Sequence, residues 1–130
     1  MNRSAIDNNP VVKLAFEFSL AIITYCELLE SRKKFVIARQ LLKSGTSIGA
    51  NVTEAQNAES RADFLHKLKI AAKEGEETEY WLLLCDYSQE YPSPGELITK
   101  SNSLNKMLGK IISTTKRKYS ITRFFNLFIF

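Results

Sequence analysis

One spacing limits what this chain can fold into. Ala38, Leu41, Gly45, Ile48, Val52 and Ala55 recur at alternating steps of three and four, the repeat of a single helical stripe laid against a partner. Three further stretches carry the same repeat: Val11 to Leu29, Phe64 to Cys85, and Leu97 to Thr115. Four amphipathic helices with short connections predict an all-α fold, an antiparallel up-and-down four-helix bundle.

The stretch Leu41–Gln56 is the odd one. Gly45, Thr46 and Ser47 weaken a helix, since Gly costs about 1 kcal/mol against Ala and hydroxyl side chains compete for the backbone. A helix through here needs tertiary packing or it bends. Gly45 and Gly49, one turn apart, would let a second backbone approach closely. Beside the apolar stripe, Ser47, Asn51 and Glu54 form a polar edge.

The expected elements follow from local signals. Residues 1–9 read as a flexible N-terminus. Asn9-Pro10 is a cap followed by Pro at the first helical position, opening a helix to about Ser31. Its main stripe is Val11, Leu14, Phe18, Ala21, Tyr25 and Leu28, broadened by Val12, Ala15, Phe16, Ile22, Ile23 and Leu29; so wide an apolar surface favours association with other copies. A second helix is expected over Phe35–Asn57. Ser60 and Asp63 resemble a capping box for a third over Arg61–Glu90, and Ser93, Pro94 and Glu96 one for a fourth. The bundle domain is set at residues 10–116 and a tail at 117–130. The tail's last seven residues are nearly uncharged and β-prone and would need covering; with Lys116-Arg117-Lys118 it would also suit an anionic lipid surface, a less favoured use.

Composition narrows the function classes. The 130 residues suit one domain, and the net charge of +4 is compatible with nucleic acid. Residues 58–91 hold four Lys+Arg against eight Asp+Glu, whereas residues 92–130 hold seven against one. The plainer meaning is two helix surfaces that attract each other. The functional meaning is a phosphate-facing surface made of Lys33, Lys34, Arg39 and Lys43 on the second helix and Lys100, Lys106 and Lys110 on the fourth, repeated in every copy of an assembly. Cys26 and Cys85 are isolated among apolar residues, which reads as buried thiols in a reducing cytoplasm. His66 is the single histidine, so no metal, cofactor or small-molecule substrate is expected. No apolar run approaches the length of a spanning helix, and no secretory signal opens the chain. The carboxylates Glu74, Glu76, Glu77 and Glu79 lack an accompanying nucleophile or phosphate loop. We expect Glu77 or Glu79 to accept hydrogen bonds from Asn51, Ser47 or a neighbouring base, fixing helix register.

The segment SGTSIGANVTEA followed by DFLHKLKIAAKEGEETEYWLLL resembles the bacterial 23S rRNA intervening-sequence protein family, also called the four-helix bundle protein family. The resemblance is carried by Ser47, Ile48, Ala50, Asn51 and Glu54, then by Phe64, Leu68, Ala71, Glu77, Glu79 and Leu82, and spans roughly Leu14 to Ile112. The family often has Pro where this chain has Gly49. What the resemblance implies is an up-and-down bundle assembled as a ring-like homo-oligomer, a pentamer being one closure, with no enzymatic activity. Family members are encoded within rRNA intervening sequences, and a related branch assists the reverse transcriptases of diversity-generating retroelements. The expected function is thus a non-catalytic oligomeric protein that binds RNA or a nucleoprotein; the alternative is a protein–protein scaffold with no nucleic-acid role.

Overall fold

A computed structural model describes residues 1–129, and the side chains of all of these except Phe124, Phe128 and Ile129. Five helices follow one another: α1 (Arg3–Asp7), α2 (Pro10–Ser31), α3 (Phe35–Ala55), α4 (Arg61–Tyr87) and α5 (Leu97–Ile129). No strand occurs among the described residues. The four long helices form the antiparallel up-and-down bundle, each packing on its sequence neighbour, while α5 closes the ring against α2; α3 and α5 lie across the diagonal and do not touch.

Caps set the helix starts. Asn9 Oδ1 accepts the Val12 N–H at 3.4 Å, with Pro10 at the first helical position. Ser60 Oγ accepts the Asp63 N–H at 3.0 Å, and Asp63 reaches back to the Glu59 N–H at 3.2 Å. The expected cap at Ser93 is corrected: Ser93 Oγ accepts from the Gly95 N–H instead. Gly95 has φ of +56°, a left-handed conformation that glycine adopts without a Cβ clash. The chain therefore turns once more, and α5 starts at Leu97.

Residues 3–7 form α1, capped by Asn2 and packed on α2, where a loose segment was expected. Residues 117–129 continue α5 without a break, so the expected tail is helical; Phe130 lies outside the described residues. At 33 residues and 1.5 Å per residue, α5 is roughly 50 Å long, against roughly 33 Å for α2.

The core is one cluster. All six stripe residues of α3 are buried, as are Leu68, Ala71, Gly75, Thr78, Leu82 and Cys85 of α4. In α2 the buried stripe is Val11, Ala15, Phe18, Ile22, Tyr25 and Leu29. This corrects the expected main stripe: Ala15, Ile22 and Leu29 are buried where Leu14, Ala21 and Leu28 were expected, and Leu28, Phe16 and Ile23 are exposed. Both stripes contain Val11, Phe18 and Tyr25, but the regular four-three alternation from Val11 leads to Leu29.

Packing resolves the weakness of α3. The helix continues unbroken through Gly45-Thr46-Ser47. Thr46 Oγ1 and Ser47 Oγ donate to the Leu42 and Lys43 carbonyls, both at 2.6 Å. A Cβ on Gly45 would stand 2.9 Å from Cγ1 and Cγ2 of Ile22, and one on Gly49 would stand 3.4 Å from the Ala15 carbonyl oxygen. The glycines therefore mark a close α2–α3 crossing.

Tyr25 ties α2 to the segment before α5, its hydroxyl donating to the Pro92 carbonyl at 2.6 Å in a buried position. Burial, ahead of the neighbouring Cys85, raises the phenol well above its ordinary pKa. The neutral phenol is thus favoured in the folded state, while the unfolded phenol ionises near pH 10. The unfolded chain then holds fewer protons, so stability falls as pH rises above about 10. Tyr25→Phe is expected to lower stability by about 1–3 kcal/mol at neutral pH, because the Pro92 carbonyl loses its buried donor. It should also flatten the alkaline loss; denaturant melts at pH 7 and 10.5 measure both.

The cysteines behave as the sequence implies. Both are free and buried. Burial, ahead of Glu30 and Cys85, pushes the Cys26 thiol up to about 12, and burial also raises Cys85. Thiolate is the reactive form, so neither should be alkylated by maleimide in the folded protein, and both should react once denatured, as read by intact mass.

Candidate interaction surfaces

Three kinds of surface could carry function: a polar seam between helices, two cationic strips, and apolar faces without cover.

The seam joins α3, α4 and α5. Thr78 Oγ1 lies 2.9 Å from Ser44 Oγ and donates to the Glu74 carbonyl at 2.8 Å; Ser44 and Thr78 are fully buried. One turn earlier on α4, Asn105 Nδ2 donates to the Gly75 carbonyl at 3.2 Å and to Glu79 Oε2 at 3.4 Å. Gly75 leaves room for this amide, since a Cβ there would meet the end of the Asn105 side chain and displace it. Glu79 thus accepts a hydrogen bond, as expected, but from Asn105 of α5. The expected donors are corrected: Asn51 Nδ2 donates to the Ser47 carbonyl of its own helix at 2.9 Å, and Ser47 likewise bonds within α3. Both sit on the half-buried edge beside the core stripe, where a short polar side chain folds back onto its own turn. Glu77 is exposed. It stands beside Glu74, whose carboxyl is raised above the usual range by burial first and Glu77 second, with Lys43 acting in the opposite sense.

The remaining motif residues are structural. Ile48 is core and Gly49 is the close approach to α2. Glu54 pairs with Lys67 at 3.0 Å on the surface, an exposed pair of small energetic weight. Asn105 was missed in the sequence because it lies one residue off the Leu104 stripe. The available signal was its place four residues after Ser101 and three before Leu108, beside the core opposite a small residue.

The seven candidate cations fall on two strips. Lys33 sits in the α2–α3 turn with φ of +61°. Lys34 is half-buried, its Nζ 4.9 Å above the Tyr91 ring, a cation–π contact. Arg39 and Lys43 are exposed on α3, as are Lys100, Lys106 and Lys110 on α5. Because α3 and α5 are diagonal, one chain does not join them into a single patch. The α5 strip is the purer one: between Leu97 and Ile129 this helix carries seven Lys+Arg and no Asp or Glu. Steps of four and seven put Lys106, Lys110 and Arg117 on one face, opposite the core stripe.

Two apolar faces lie open. On α4, Tyr80, Leu83, Leu84 and Tyr87 follow at i, i+3, i+4 and i+7, all exposed. Between α2 and α3 runs a groove of about 530 Å³, lined by Phe16, Leu20 and Ile23 of α2 and by Thr46, Gly49 and Ala50 of α3. Among the described residues no group of three or more His, Cys, Asp or Glu is placed to hold a metal. No helix of the described residues is long and apolar enough to cross a membrane.

An all-α bundle with a polar register seam and open outer faces is the class that this architecture defines. The sequence profile of the 23S rRNA-intervening sequence protein family matches residues 7–112, so the chain belongs to that family. It is also similar, with 43% identity and a TM-score of 0.74, to a crystal structure of a protein of unknown function from the S23 ribosomal protein family of Bacteroides thetaiotaomicron VPI-5482. The likeness covers 78% of this chain and 97% of that one. No curated protein matches the chain.

Proposed function

We propose that this protein is a non-catalytic, self-associating bundle of the cytoplasm that binds RNA or a nucleoprotein through repeated cationic helix faces. The observation that carries the reading is α5, a 33-residue helix with seven cations and no acid. An acid-free strip of this length gains little from one phosphate contact. It gains much when neighbouring copies multiply the contacts, because every neutralised phosphate releases counterions. The family name, which speaks of 23S rRNA, supports a nucleic-acid context.

Fluorescence anisotropy of a generic single-stranded RNA, titrated with salt, tests this. Affinity should fall steeply with salt. Charge reversal at Lys106, Lys110 and Arg117 together should reduce the logarithmic slope by roughly 2, since each single-strand contact contributes about 0.7. No binding at low salt would overturn the reading. It would leave a protein–protein scaffold, which the exposed Tyr80-Leu83-Leu84-Tyr87 face of α4 favours.

A further inference from the structure

Two open troughs follow one another along the α4–α5 seam near the start of α4. The first, of about 400 Å³, is lined by Phe64 of α4 and by Met107, Lys110, Ile111, Thr114 and Lys118 of α5. Phe64, Met107 and Ile111 are half-buried and pack against the core, whereas Lys110 and Lys118 are exposed. The second, of about 350 Å³, is lined by Arg61 of α4 and by Tyr119, Thr122, Arg123 and Asn126 of α5, all exposed. Arg61 lies one turn before Phe64 on α4, and Tyr119 follows Lys118 on α5, so the troughs are consecutive.

Their chemistry repeats. Each holds one aromatic ring, Phe64 or Tyr119, and two cations, Lys110 and Lys118 or Arg61 and Arg123. Neither is lined by a carboxylate, and none of these cations forms an ion pair among the described residues. A merely solvated basic face needs no rings. The centre of a protein–protein interface, in turn, is depleted of charge. Rings between unneutralised cations suit a polyanion that carries planar groups.

That polymer is a single strand. In a duplex the bases cover one another's faces; in a single strand they are free to stack on aromatic rings and guanidinium planes. Lys110 and Lys118 are eight residues apart, roughly 12 Å along the helix, which leaves room for one flat ring between two phosphate contacts. Half-buried Thr114 stands between them and offers a hydroxyl to a base edge, while Thr115 is already bonded to the Ile111 carbonyl at 2.7 Å.

We infer that the α4–α5 groove seats single-stranded RNA, with bases stacked on Phe64 and Tyr119 and phosphates held by Lys110, Lys118, Arg61 and Arg123. This rests on the RNA binding of the proposed function and names the form of RNA and its seat.

Anisotropy titrations of the full chain with a single-stranded RNA and with a duplex RNA of equal length test it. The single strand should bind at least about tenfold more tightly at equal salt. Phe64→Leu keeps an apolar side chain and removes the ring. It should weaken single-strand binding by about tenfold, the effect of one lost stack, and leave the logarithmic salt slope unchanged. Tyr119→Leu, at an exposed position, should do the same, so the test stands even if circular dichroism shows Phe64→Leu to be unfolded. Lys118→Gln should instead lower the slope by about 0.7.

Absence of RNA binding by the wild type at low salt would remove the proposed function and this seat together. Equal affinity for both RNA forms, with both leucine variants unaltered, would leave RNA binding in place and overturn this seat alone. Oleate binding that Phe64→Leu abolishes, without preference for single-stranded RNA, would also overturn it, giving the groove to an amphipathic anion.

Discussion

Phe18→Ala is expected to cost the protein about 3–5 kcal/mol, the range for deleting a buried phenyl ring. Phe18 heads the large side chains that are fully buried, at the middle of the α2 stripe. Its neighbours one turn either side, Ala15 and Ile22, are also fully buried. Ala15 adds little volume, so the ring fills the space that the small residue leaves. The gap would close only if α2 moved toward α3, and the two helices already cross so closely that a Cβ on Gly45 would stand 2.9 Å from the Ile22 side chain. The cavity should therefore persist, which places the loss in the upper part of the range. Chemical denaturation measures it as a lower midpoint with an unchanged slope; a loss under 1 kcal/mol would mean that α2 is free to repack.

Gly45→Leu is expected to lower stability by about 3 kcal/mol. Leucine is the better helix former by most of a kcal/mol, so propensity alone predicts a gain. The side chain, however, would enter Ile22 at its branch atoms, which are fully buried and have no free end to swing aside. Overpacking of this kind costs about 1–3 kcal/mol and occasionally more, and leucine adds three carbons beyond the first clash. The sign of the effect separates the two accounts. A stabilised Gly45→Leu would show that the glycine is merely a weak helical position, whereas a destabilised one shows that α2 and α3 need it to cross closely.

Much of the fold was legible in the spacing of single residues. Ala38 to Ala55 and Leu68 to Cys85 are buried at the positions their steps of three and four select. The caps at Asn9 and Ser60 were legible because the donor lies three residues away in sequence. The cap at Ser93 was not, because Gly95 turns the chain left-handed and a sequence signal three residues long does not register that. The α5 extension escaped for a related reason. Its aromatic and β-branched residues favour strands in isolation, but continuing an existing helix avoids the cost of a new nucleus. The site was less legible than the fold. That Glu77 or Glu79 would be hydrogen-bonded followed from their place near the core stripe; that it is Glu79, and that Asn105 supplies the bond, depends on how α4 and α5 are set against each other, which neither sequence states alone. The cationic positions were all identifiable, but their division into two strips follows only from α3 and α5 being diagonal.

The same diagonal arrangement explains why assembly is central. One chain presents its cations on two separate strips, and the proposed assembly would repeat the α5 strip in every copy. Native mass spectrometry of the full-length chain over rising concentration tests this most directly. The account predicts a discrete multiple of the 14.8 kDa chain mass, with the same multiple recovered after dilution and reconcentration. A single species of 14.8 kDa at every concentration up to the millimolar range would contradict it.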